Sequence, residues 1–192
     1  MTFEYAKFHN LDWSNRWDDL RFPAQGINPP GSLVDADVES TTGMLLFAEN
    51  RNEMVAGIAQ MPHSWSEGSE IRPHIHWTPT DASAGDVLWK LEYQIKNVGE
   101  AFDFSTGWSE LTVLDAASGT NGSHQIAPFG SIDMTGNRIS CCISWRLTRM
   151  GEDESDTYAE DARVIEFDIH YLTDSMGSVH EFVKQGVDGI SP

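Results

Sequence analysis

Two histidines stand two positions apart in "SEIRPHIHWTP", at His74 and His76. On a strand, residues i and i+2 share a face, so both imidazoles point the same way. A zinc, iron or manganese centre needs about three or four nitrogen or oxygen donors converging on one point, and this pair supplies two. A second row, Glu166, Asp168 and His170, has the residue types of an acid–base cluster. It alternates with Ile165, Phe167, Ile169 and Tyr171, so the stronger reading is the polar face of a half-buried strand. No Ser, Cys or Lys lies in a recognisable nucleophile setting. Cys141 and Cys142 are adjacent, point to opposite strand faces and form no disulfide framework. "GEDESD" lacks the Asp-x-Asp-x-Asp-Gly spacing of a calcium loop and reads as a solvated loop. "SGTNG" lacks the Lys-Ser/Thr that completes a phosphate-binding loop. No cofactor is expected from these motifs.

Parity bears on the histidines. In "IRPHIHW", Ile71, Ile75 and Trp77 form an apolar face, and Arg72, His74, His76 and Thr78 the polar one. If the apolar face meets the core, the histidines point away from it. The spacing also resembles the motifs of the cupins, small jelly-roll metalloproteins. Gly68, His74 and His76 match the first motif, with Asp81 where a glutamate is expected. Gly122, Pro128, Gly130 and Asn137 match the second, with Asp133 in place of its histidine. That resemblance implies a metal-dependent enzyme with His74, His76, Asp81 and Asp133 as candidate ligands. Both departures fall on ligands, and cupin ligands point inside the barrel. No bound metal is therefore expected, and the face of His74 and His76 is expected to make a subunit contact.

The elements that carry these residues are strands. "DVLWKLEYQIKNV", "RISCCISWRLT" and "RVIEFDIHY" alternate apolar and polar residues, the mark of an antiparallel all-β domain. "GMLLFAE" and "EMVAGIAQM" read as a hairpin. "IRPHIHW", with Pro73 inside, reads as an edge or bulged strand. "SELTVLD" and "HQIAPFGSIDM" add two more. About eight strands with long Gly-rich connections predict an antiparallel β-sandwich of jelly-roll type over 43–173. Residues 1–42 lack clean periodicity and predict an extended N-terminal arm, with one helical turn at "SNRWDDL". Residues 174–192 predict a tail with a short helix, capped by Ser178 and Glu181 and ended by Gly186.

With 192 residues the chain has the length of one well-buried domain. Its 30 acidic and 12 basic residues give a net charge of −18. A field of that sign repels phosphate backbones and argues against nucleic acid or an anionic membrane as partner. The first residues lack the basic and apolar regions of a signal peptide, and no apolar run approaches a membrane span. The arm's Trp13, Trp17, Leu20 and Phe22 could pack back on their own sheet or anchor in a neighbour. Trp and Arg are preferred interface anchors, so the interface reading, with Arg21, is the expectation. Pro29 and Pro30 would hold it extended, which suits docking across a subunit boundary.

Three stretches resemble a group of tailed-bacteriophage virion proteins: "WDDLRFPAQGINPPG", "AGIAQMPHSWSEGSEIRPHIHWTP" and "GDVLWKLEYQIKNVGEAF". The resemblance spans much of the first half of the chain. It implies a non-enzymatic particle protein on a β-sandwich, present in many copies in the virion. A capsid decoration or cement protein is expected, bound to the major capsid protein and self-associated as a homotrimer. The alternatives are a tail or receptor-binding component and the cupin-like enzyme.

Overall fold

The computed structural model describes residues 16–27, 29 and 35–184. Ten strands run through them: β1 (Arg16–Pro23), β2 (Asp37–Val38), β3 (Leu45–Phe47), β4 (Asn52–Gln60), β5 (Ile71–Pro79), β6 (Asp86–Lys96), β7 (Ser109–Ala116), β8 (Gln125–Pro128), β9 (Cys142–Met150) and β10 (Ala162–Thr173). They form two antiparallel sheets. One runs β2-β3-β10-β5-β8 with β1 added on β10; the other runs β4-β9-β6-β7. From β3 onward the chain crosses from sheet to sheet at every step except the β6–β7 hairpin. That strand order is a jelly roll, the architecture expected from the alternating segments.

The alternating apolar residues meet between the sheets. Ile71, Ile75 and Trp77 from β5 and Phe167 and Ile169 from β10 face Trp89, Trp145 and Leu147 from the other sheet, all buried. The rings interlock: Trp77 and Trp89 lie 6.1 Å apart edge-to-face, and Trp145 and Phe167 lie 4.7 Å apart. Gly57 makes room for one of them. It pairs with Trp145 across β4 and β9, and a Cβ there would sit 2.3 Å from the indole. β10 carries a bulge between Val164 and Glu166, which lets Val164 and Phe167 both turn inward.

Several expectations are corrected. β5 is an interior strand between β10 and β8, not an edge, and the bulge is on its partner. Pro73 is tolerated there because its carbonyl accepts from the Phe129 N–H. The donor that proline lacks would face that same side, just past the end of β8. Arg16–Pro23 is a sandwich strand rather than an extended arm or a helical turn, registered on β10 from Arg16↔Thr173 to Pro23↔Glu166. Phe22, half-buried, packs on its own core, 5.2 Å from Trp145. Trp13 and Pro30 lie outside the described residues; Pro29 is half-buried. No helix forms among described residues 174–184. The Ser178 hydroxyl is engaged by the His180 carbonyl and the His63 ring instead of capping a helix.

Candidate functional site

β10 brings the two polar rows together. It pairs with β5 on one side, His74 opposite Asp168, His76 opposite Glu166 and Arg72 opposite His170. On the other side β1 places Asp19 opposite His170 and Arg21 opposite Asp168. All of these side chains belong to the sheet face turned away from the core. β8 adds Ile126 and Pro128 beside His76 and His74. Parity thus predicts the direction of the histidines correctly, but outward here is not exposed. The His74 side chain is only 6% accessible and that of Asp168 5%, because both sit in the middle of a wide sheet with neighbours on each side.

Three side chains converge. His74 Nε2 lies 2.6 Å from Asp168 Oδ1, and His76 Nε2 lies 3.2 Å from Asp168 Oδ2. The two Nε2 atoms are 3.1 Å apart. On its outer side, His76 Nδ1 meets His124 Nε2 at 2.7 Å. His170 stands edge-on to His74, ring centres 4.2 Å apart, and its Nε2 is 3.0 Å from Asp19 Oδ1. Glu166, the next residue outward on β10, is taken by Arg21 in a two-pronged pair at 2.7 Å each.

The environment splits the two histidines. Burial opposes charge on His74, but its contacts with Asp168 outweigh this and raise its pKa above the ordinary value. His76 goes the other way: burial, reinforced by the nearby His74 and His124, outweighs the attraction of Asp168 and lowers its pKa. Asp168 is left incompletely paired. The His74 contact at Oδ1 is close enough for an ion pair, yet its direction is not that of a hydrogen bond, and Oδ1 has no hydrogen-bond partner. A cleft of about 450 Å3 opens beside His74, walled by Arg72, Pro73, Ile126, Pro128 and His170.

The aspartates suggested by motif spacing lie elsewhere in function. Asp81 accepts from the Ser83 amide and hydroxyl and from the Tyr158 hydroxyl, and these bonds hold its carboxyl below the usual range. Asp133 closes a turn on the amide and hydroxyl of Thr135. Neither joins a cluster with the histidines among the described residues. The partner the motif omits is Asp168, named in the sequence only as part of a polar strand face. The register of β5 on β10 is the signal that would have found it.

Two other features differ from expectation. The acidic loop is not wholly solvated: Asp156 is buried and pairs with the buried Arg149 at 2.8 Å. Cys141 is buried, and that burial pushes its thiol up to about 12, which removes it as a nucleophile at neutral pH.

No family model matches this chain, and no curated protein matches it. Solved structures of similar shape include carbohydrate-binding modules. A family 35 module from Clostridium thermocellum is 8% identical, covers 79% of this chain and 97% of its own, with a TM-score of 0.44. The CBM36-1 domain of a multidomain xylanase from the hindgut metagenome of Trinervitermes trinervoides is 10% identical, covering 79% and 96%, at 0.44. The CBM22-1 xylan-binding domain from Paenibacillus barcinonensis Xyn10C is 9% identical, covering 84% and 99%, at 0.37. Likeness of this degree carries nothing about what the present chain binds.

Proposed function

We propose that this chain is a non-enzymatic structural protein of a tailed-bacteriophage particle, a capsid decoration or cement subunit that works by contact with the major capsid protein and as a homotrimer. One observation carries the reading. Two of the stretches that resemble virion proteins become β1 and β5, and these flank β10 in a single sheet. Those two strands, with β10 between them, make one continuous surface; the third stretch supplies β6, in the other sheet. That surface presents Trp17, 44% accessible, with the Arg72 guanidinium 4.7 Å above its ring. Aromatic and arginine side chains of this kind are favoured interface anchors. The net charge of −18 suits an outer layer kept soluble and away from packaged DNA. A surface repeated by particle symmetry gains avidity from many modest contacts, so no catalytic chemistry is needed.

Two measurements test this. Light scattering on the purified chain should give three times the 21.4 kDa protomer mass, and a monomer at working concentration contradicts the trimer. Antibody raised against the chain should label the heads of the phage that encodes it. Tail labelling would move the protein to the tail, and no labelling of either part would remove it from the particle.

A further inference from the structure

We propose that His74 Nε2, His76 Nε2 and the Asp168 carboxylate bind one divalent transition-metal ion, with the adjoining cleft open to a further, exogenous ligand. The site does not depend on the particle role.

The first reason is how the donors are aimed. Nε2 of both histidines faces the same carboxylate. The other ring nitrogen of His76, Nδ1, is engaged away from the centre by His124 Nε2 at 2.7 Å. Metal-bound histidines are held this way, one nitrogen fixed by an outer partner so that the other offers its lone pair inward.

The second reason is the unfilled carboxylate. Asp168 is 5% accessible in its side chain, and Oδ1 has no hydrogen-bond partner. A buried carboxylate oxygen left this way is costly unless a cation sits beside it. A proton on His74 Nε2 can be donated to His76 Nε2 across their 3.1 Å contact, and Asp168 Oδ1 still receives no hydrogen bond. An ion placed between the three satisfies all of them together.

Distances agree. Ligand bonds of about 2.0–2.1 Å in a tetrahedral site set donor–donor edges of about 3.3 Å. The His74–His76 edge measures 3.1 Å, and each of these nitrogens faces its own Asp168 oxygen, at 2.6 Å from His74 to Oδ1 and 3.2 Å from His76 to Oδ2, so one oxygen would turn to the ion on binding. Two imidazoles and one carboxylate suit zinc, iron(II), cobalt or manganese better than calcium or magnesium. With three protein donors, one or more coordination positions stay open, and the cleft of about 450 Å3 beside His74 admits water or a small anion to them. The ligands lie on adjacent strands of one sheet, so the site is rigid before any ion arrives.

The experiment uses the tag-free full chain, stripped with chelator and titrated with zinc chloride by calorimetry, then with cobalt(II) followed by visible absorption. One ion per chain and cobalt bands of a four- or five-coordinate site are expected. Asp168→Asn and His76→Gln should each weaken binding at least ~100-fold while keeping the wild-type circular dichroism. If one of them fails to fold, the other decides. Asp81→Asn and Asp133→Asn, at the positions motif spacing singles out, should bind as wild type. Absence of saturable binding overturns the site, and so does binding that persists in the Asp168→Asn and His76→Gln variants.

Discussion

Two of the polar clusters buried among the described residues are finished differently. Arg149 has five N–H donors, and each has an acceptor: the two Asp156 oxygens and the carbonyls of Phe47, Glu160 and Tyr158. Asp156 also takes the Leu88 amide. Nothing is left over, and Arg149 ties β9 to the loop before β10 and to the end of β3. The Asp168 cluster has the opposite character. It gathers lone pairs, leaves a carboxylate oxygen without a hydrogen bond, and opens on a cleft. A closed cluster specifies structure. An open one invites a ligand.

Breaking the closed cluster should have the largest effect. Arg149→Met leaves Asp156 buried and unpaired and strands three carbonyls, and should cost about 3–5 kcal/mol in denaturant unfolding. Next comes Gly57→Ala, which touches neither cluster. Its Cβ meets the Trp145 ring, so stability should fall by about 1–3 kcal/mol while zinc affinity stays unchanged. Smaller again is Asp168→Asn without metal. Losing the pairing to His74 is offset by relief of a desolvated, incompletely satisfied carboxylate, so the unfolding free energy should move by less than about 1 kcal/mol. A drop as large as that of Arg149→Met would mean the cluster is structural. Smallest is alkylation of the folded protein at pH 8. Cys141, its thiol pushed up to about 12 by burial, should stay unlabelled, and denaturant should expose two reactive thiols where at most Cys142 reacts before.

The strands were legible where the core imposes a period of two. β6 alternates along its length, β9 as far as Thr148 and β10 beyond its bulge, and β5 shows which side its histidines take. β1 was not legible: "RWDDLRFP" puts two aspartates and two arginines on an edge strand, and only the partner β10 makes it one. The capping signal at Ser178 failed because its hydroxyl found other partners. The site was half legible. Spacing along the chain found His74 and His76 and then pointed to Asp81 and Asp133, which close local turns. The third donor comes from across the strand, and such a neighbour has no fixed distance in sequence. Asp156 was hidden for the same reason, since its charge reads as solvated until Arg149 is seen opposite.

The most direct test of the open cluster is thermal unfolding of the tag-free chain with and without zinc, in wild type and Asp168→Asn. An ion at 100 times its dissociation constant stabilises the folded state by about 2.7 kcal/mol. For a chain of this size that raises the midpoint by roughly 5–10 °C. The account predicts that rise in wild type and none in Asp168→Asn. Equal shifts in both, or no shift in wild type, would contradict it.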